Sequence, residues 1–425
     1  MLTLIGFFVA LFIGVPIFIS LLLASIIFMV ENGNQLLLSS ITIQMDGVLN
    51  QSGLLAIPLF MLVGELMNKG GLTKKLIACA DLFVGGFRGG LAYVNLFTNA
   101  MAASILGSAT AQISIMSKLM IPTMVEKGYD KNFSAAVTIA GGLLSPIIPP
   151  SMLMIIYSVI AYQPVAVLFL AGTLPGFLII FSFALVIMII GLVKGLPKDG
   201  GYATHESPKA DFIGGLLPGC IPLSIIILIL SGVMTPTEAG AVASVLSFAI
   251  GSFVYKELKF SDLPGILVRV AKSTAVITGL IAAASVFGWS LTFEGIPDQI
   301  VTFMASLTES KIVFLMLIYL LVILLGMFLE SISVMIVIVP LLLPVLKTFG
   351  IDPIHFGVMI SLATLVGLVT PPVGPGLFIA MAIAKLQIIP LFRAILPFLF
   401  AMLVSMILIA FIPELSLWLP SVFLK

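Results

Sequence analysis

Residues 2–30, 165–193 and 390–412 are apolar runs longer than the roughly 20 residues that a helix needs to cross a bilayer. A chain that buries such runs in lipid must satisfy its own backbone donors and acceptors, so its fold is confined to helices or a closed barrel. Strand-type alternation is absent, which predicts an all-α polytopic membrane protein. Composition agrees: 61% of residues are hydrophobic and 9% charged, against about 25% charged in soluble domains. The first run has no basic leader and no small-residue cleavage site, and reads as a retained first helix.

Other classes fall away quickly. Cys79 and Cys220, like His205 and His355, stand far apart in sequence, so neither a disulfide framework nor a metal cluster is indicated. A net charge of +1 gives no reason to expect nucleic acid as a partner. Phosphate-binding loops, metalloprotease helices and nucleophile elbows are missing, and the dispersed acids Glu65, Glu238 and Glu330 make an intramembrane enzyme a poor reading.

Two stretches of the chain share a motif order. Gly107-Ser108-Ala109-Thr110 followed by Ser145-Pro146-Ile147-Ile148-Pro149-Pro150-Ser151 returns as Gly326-Met327-Phe328-Leu329-Glu330-Ser331-Ile332-Ser333 followed by Thr370-Pro371-Pro372-Val373-Gly374-Pro375. Between them, Pro122, Gly128 and Asp130 recur as Pro344, Gly350 and Asp352, each 222 residues later (344 − 122, 350 − 128, 352 − 130). Each copy predicts a re-entrant helical hairpin (91–125 and 312–346) and a broken transmembrane helix (133–162 and 355–384). Matched breaks in two halves are a sequence pointer to a transporter's binding site.

Lys and Arg set the direction of each copy. With the first hairpin's base (Lys69, Lys74, Lys75, Arg88, Lys127, Lys131) in the cytoplasm, onward threading puts 15 of 19 basic residues inside. Lys311, Lys347 and Lys425 fall outside and Lys118 within the hairpin. The second hairpin, with Glu309, Lys311, Lys347 and Asp352 at its base, then enters from the exterior, so the repeats are inverted. The threading expects a crossing over 270–292, a cytoplasmic amino terminus and a periplasmic carboxyl terminus. It divides the chain into a first helix and interfacial stretch (1–53), repeat 1 (54–193), a cytoplasmic linker (194–212, with Gly200 and Gly201) and repeat 2 (213–425).

Proline in a helix interior removes a donor and frees a carbonyl, at about 3 kcal/mol or more. In a membrane such defects persist where protein, an ion or a water-filled cavity meets the freed groups. Unwound carbonyls with Ser and Thr hydroxyls form oxygen nests suited to a hard monovalent cation, and the adjoining helix N-termini favour an anion. The candidate cation ligands are Gly107, Ser108, Thr110, Ser145, Pro146 and Pro149 in one copy. In the other they are Gly326, Glu330, Ser331, Ser333, Gly367, Thr370 and Pro371. Each tip is paired with the break of its own repeat. A carboxylate substrate between them points to Ser108, Ala109, Pro150, Ser151, Ser331, Pro372 and Gly374. Pro kinks and small-residue seams are the plainer reading of any one motif; a matched inverted pair favours the transporter. Glu238 in Thr235-Pro236-Thr237-Glu238 reads as a helix cap, Arg393 as a positive-inside anchor, and Gly85-Gly86 with Gly89-Gly90 as a bend.

These motifs, together with Ile57-Pro58-Leu59-Phe60-Met61-Leu62-Val63-Gly64 and Thr235-Pro236-Thr237-Glu238-Ala239, resemble the large membrane subunit of tripartite ATP-independent periplasmic (TRAP) transporters, over nearly the whole chain. The resemblance implies a sodium-coupled importer of organic anions in the bacterial inner membrane, with Na+ as coupling ion and no other cofactor. It also implies an elevator mechanism in which a transport domain slides past a scaffold. Its implied partners are a small four-helix membrane subunit, fused in some members and expected here as a separate chain, and a periplasmic substrate-binding protein. Substrates of the family include four-carbon dicarboxylates and sialic acid. The related divalent-anion/sodium symporters share the architecture without a receptor and are the alternative.

Overall fold

Pro16 has no backbone donor and Gly14 turns at φ +88°, so the first apolar run does not cross as one helix. Instead α1 (Leu2–Phe12) and α2 (Ile17–Glu31) pack against each other as an antiparallel pair, with Thr3 Oγ1 donating to Glu31 Oε2 at 3.0 Å. Asn34, just beyond α2, donates to Glu294. The start of α1 therefore shares a face with Glu294. The charge threading expected a cytoplasmic amino terminus and an exterior Glu294, and the fold-back shows that these two placements do not hold together.

The computed structural model describes residues 2–84, 88–198, 208–308 and 310–423, and every regular element among them is helical. Gly85, Gly86, Gly200, Gly201, His205, Glu309 and Lys425 lie outside the described residues. A 3-10 turn and α3 (Ile41–Leu49) lead to α4 (Ala56–Lys69) and α5 (Leu72–Val84). The first hairpin is α6 (Gly90–Leu106) with α7 (Ala109–Glu126), followed by α8 (Lys131–Gly142), α9 (Met152–Ala161) and α10 (Val165–Ile190). Next come α11 (Pro208–Leu230), α12 (Pro236–Ala249), α13 (Leu263–Phe293) and α14 (Ile296–Leu307). The second hairpin is α15 (Lys311–Gly326) with α16 (Ser331–Thr348), followed by α17 (Pro353–Leu368), α18 (Pro375–Ala384), α19 (Ile388–Phe411) and α20 (Glu414–Phe423). Among the described residues seven helices are long and apolar enough to span a membrane.

The recurring Gly and Asp residues do local work in both copies. Gly128 and Gly350 turn at φ +88° and +60°, where a side chain is disfavoured. Asp130 and Asp352 then cap the broken helices, accepting from Phe133 N–H at 2.8 Å and Ile354 N–H at 2.7 Å.

A difference of consequence concerns α13. Its 31 residues span about 46 Å at 1.5 Å per residue. It starts seven residues before the expected 270 because Pro264 sits in the first turn, where a missing N–H is tolerated. Arg269 is thus a helical residue rather than a loop residue.

The two copies interlock. α18 packs on α7 and α9 on α16, so each second half-helix lies against the hairpin of the other copy; likewise α19 packs on α8 and α10 on α17. The base of the first hairpin meets the far end of α10, where Gly89 N–H donates to Pro197 O at 2.9 Å. The base of the second lies near the start of α10, because the Tyr157 hydroxyl on α9 donates to the Pro353 carbonyl. The ends of one continuous helix point to opposite faces, so the hairpins enter from opposite sides.

Candidate functional site at the hairpin tips

Each break is shaped by its own residues. In the first copy Ser145 is buried and its Oγ donates to the Ala103 carbonyl in the last turn of α6 at 3.4 Å. Ser151 Oγ donates to the Pro146 carbonyl at 2.5 Å and accepts from Met154 N–H at 3.3 Å, which starts α9. In the second copy Thr370 Oγ1 donates to the Val366 carbonyl at 2.6 Å. Gly374, at φ +54°, opens α18, and its N–H donates to the Met327 carbonyl at 3.0 Å. Both breaks contain a cis X-Pro bond, Pro149-Pro150 and Pro371-Pro372.

Each break is therefore tied to the hairpin of its own copy. At the second the approach is backbone on backbone: a Cβ on Gly326 would lie 3.1 Å from Gly367 Cα, and one on Gly367 2.6 Å from Gly326 Cα. At the first, Gly107 turns at φ +63° and faces Met152, whose Cβ would be 3.1 Å from an added side chain.

The tips themselves meet. Ser108 caps α7, accepting from Ala111 N–H at 3.5 Å, and its Oγ lies 3.0 Å from Thr110 Oγ1. Glu330 occupies the cap position of α16, and Thr110 Oγ1 donates to its Oε1 at 3.5 Å. A small cavity between them is lined by Gly107, Ser108, Ala109, Thr110, Pro146, Glu330 and Ser331. The buried Ser331 hydroxyl has no hydrogen-bond partner. That is an unused ligand in a cleft of oxygen atoms and two helix N-termini.

Beside the tips a cavity of about 360 Å³ separates them from α4 and α13; Ser108, Ala111, Glu330 and Ser333 line one wall, Glu65, Asn68, Arg269 and Ser273 the other. Pro150, Ser151, Pro372 and Gly374 line neither this cavity nor the one between the tips. Pro150 and Ser151 are buried and Pro372 is exposed. Their spacing put them in the breaks, but the half-helices carry them past the cleft rather than into it. Pro149 stays within the first break, while Pro371 and Thr370 stay within the second. Arg393 is exposed near the start of α19, and Glu238 forms a capping box with Thr235 (2.8 and 3.3 Å).

Two features escaped the sequence reading. One is the Glu65–Arg269 pair in the cavity wall, joined at 2.9 Å. The other is a buried amide ladder: Asn95 Nδ2 donates to Thr138 Oγ1 (2.7 Å), Asn99 Nδ2 to Asn95 Oδ1 (2.8 Å) and Gln112 Nε2 to Asn99 Oδ1 (2.8 Å). It locks both arms of the first hairpin to α8. The spacing of Asn95 and Asn99 on one helix face was its only local signal.

Residues 4–415 match the family model described as "Tripartite ATP-independent periplasmic transporter, DctM component". The chain belongs to this family. This DctM-family permease is 33% identical to the sialic acid TRAP transporter large permease protein SiaM of Vibrio cholerae, over 99% of this chain and 98% of the relative. It is 35% identical to the C4-dicarboxylate TRAP transporter large permease protein DctM of the same organism, over 96% and 94%. The crystal structure of the YdaH transporter of Alcanivorax borkumensis shares the fold, with a TM-score of 0.66 at 16% identity over 91% of the permease and 89% of that chain. The permease is thus a multi-pass membrane protein whose relatives are transport subunits, not enzymes.

Proposed function

We propose that this permease imports a carboxylate-bearing organic anion across the bacterial inner membrane, driven by sodium. A periplasmic substrate-binding protein delivers the anion, and a small four-helix subunit completes the membrane part. The observation that carries this reading is the double tie between break and hairpin, Ser145 to Ala103 at 3.4 Å and Gly374 to Met327 at 3.0 Å, with the tips touching between them. Two oxygen nests then flank one cleft that presents two helix N-termini. Sodium in the nests offsets the Glu330 charge and the freed carbonyl dipoles, and leaves the N-termini to the anion. The names of the relatives place sialic acid and four-carbon dicarboxylates, both carboxylates, among the substrates to try first.

An elevator stroke fits the flanking space. Residues 269–280 of α13 border the cavity beside the tips, and residues 281–292 border a second cavity of about 360 Å³ farther along the same helix. The interlocked hairpins and half-helices slide along α13 from one space to the other.

The test is uptake of sialic acid and of a four-carbon dicarboxylate into vesicles holding the permease and small subunit, with the receptor outside. Uptake is expected to need both sodium and receptor. Ser145→Ala and Thr370→Ala are each expected to raise the sodium concentration for half-maximal uptake. Sodium activation unchanged in both variants sinks the ion sites, and uptake without receptor identifies a stand-alone symporter instead.

A further inference from the structure

We propose that Arg269 is the station onto which the outgoing anion steps from the hairpin tips, with Glu65 as the exchangeable partner that recovers the guanidinium afterwards. The inference rests on the anion-import reading and adds an exit step to it.

Arg269 Nε and Nη2 both lie 2.9 Å from one oxygen of Glu65, Oε2. These contacts use two of the five guanidinium N–H donors, and the fork offers the others to a second carboxylate. The side chains are 53% and 36% exposed, so water and solute reach the pair. A buried lock between helices would be sealed, and an exposed pair holds its partners weakly enough to exchange. The end of α4 is also stapled to the residue just before α13, since Lys69 Nζ lies 3.6 Å from Asp262 Oδ1.

Position matters as much as exposure. Arg269 stands on α13 across the cavity from the tip residues Ser108 and Glu330. Among the described residues lining that cavity it is the one cation, against the acids Glu65 and Glu330. An anion that leaves the N-termini of α7 and α16 after its sodium has gone is repelled by Glu330 and meets one full positive charge. Held by Arg269 alone, it would linger. Glu65 competes for the same donors and returns the site to a net negative lining, which releases the anion.

The two acid–base partners therefore act in opposite senses on the anion, although removing either breaks the same ion pair. Uptake is measured in vesicles with receptor outside, using sialic acid or a four-carbon dicarboxylate, whichever the wild type carries, and inhibition by the same anion loaded inside is titrated. Glu65→Gln is expected to tighten internal inhibition about three- to fivefold, the scale of one solvent-accessible charge pair. Arg269→Gln is expected to weaken it by a similar factor, Arg269→Lys by less, and the double variant to return near wild type. Shifts of both single variants in one direction, or none, overturn the proposal while wild-type sodium-dependent uptake leaves the import reading standing. If Arg269→Gln does not assemble in the membrane, Glu65→Gln decides alone: unchanged or weakened internal inhibition overturns the proposal. Absence of uptake by wild type refutes the import reading and this step with it.

Discussion

Replacing Gly367 by alanine tests whether the second oxygen nest depends on backbone contact. The added Cβ would lie 2.6 Å from Gly326 Cα, 2.7 Å from Gly326 C and 2.7 Å from the Ile323 carbonyl oxygen. All three are backbone atoms, so no rotamer change relieves the clash, and α15 must recede by about 1 Å to reach an ordinary contact of about 3.6 Å. Overpacking of this kind costs about 1–3 kcal/mol, against a helix-propensity gain from Gly to Ala of up to about 1 kcal/mol. The net expectation is a loss of about 1–2 kcal/mol. Function should suffer more than stability, because Met327 follows Gly326 directly and its carbonyl holds Gly374 N–H at 3.0 Å. A retreat of about 1 Å takes that bond outside hydrogen-bonding range. If it shapes the nest, the sodium concentration for half-maximal uptake should rise about tenfold, equivalent to about 1.4 kcal/mol. Gly279→Ala is the control: the nearest atoms to its Cβ are in the Phe18 ring at 3.9 Å, so it should leave uptake unchanged and match or slightly exceed wild-type stability. Thermal unfolding in detergent and sodium titration of uptake read the two effects. If Gly367→Ala and Gly279→Ala behave alike in both, the backbone-contact argument is wrong.

Asn99→Ala removes the middle rung of the amide ladder and leaves Asn95 Oδ1 without its donor, at about 1–3 kcal/mol for one buried orphan, while Gln112 Nε2 keeps the Asn99 backbone carbonyl at 2.7 Å. A melting temperature in detergent several degrees below wild type is expected, and an unchanged one refutes the ladder's role. Thr235→Ala breaks the capping box of α12 and should cost about 1 kcal/mol in the same assay. Sodium activation should stay at the wild-type value, since Thr235 and Glu238 line neither cavity at the tips.

What the sequence disclosed and what it hid divide along physical lines. Proline and glycine act on their own turn, so the breaks at Ser145 and Thr370 and the turn at Gly107 were readable one residue at a time. The Thr235 to Glu238 cap is equally local. The fold-back at Gly14 and Pro16 was signalled by the same residue types, but an uninterrupted apolar run outweighed them, and the threading set the start of the chain on the face opposite Glu294. Arg269 shows the opposite failure. Counting basic residues assigned it to a cytoplasmic loop, whereas its partner Glu65 lies 204 residues away, a distance that no local pattern spans. Pro150, Ser151, Pro372 and Gly374 mark the limit in between: spacing identified the broken segments, but which of their residues reach the cleft is set by packing of the half-helices.

The exchange of half-helices between the copies bears on how the chain can fold. Every residue of α9 but Ile160 is buried, and one wall around it is α16 from the other copy. Expressed separately, either half would present that surface, or its counterpart on α7, bare. The halves are therefore one cooperative unit rather than two domains in tandem, and the first hairpin reaches its final packing only after the chain has been made through α18. During synthesis the earlier half must wait, about 200 residues long, as an unfinished wall.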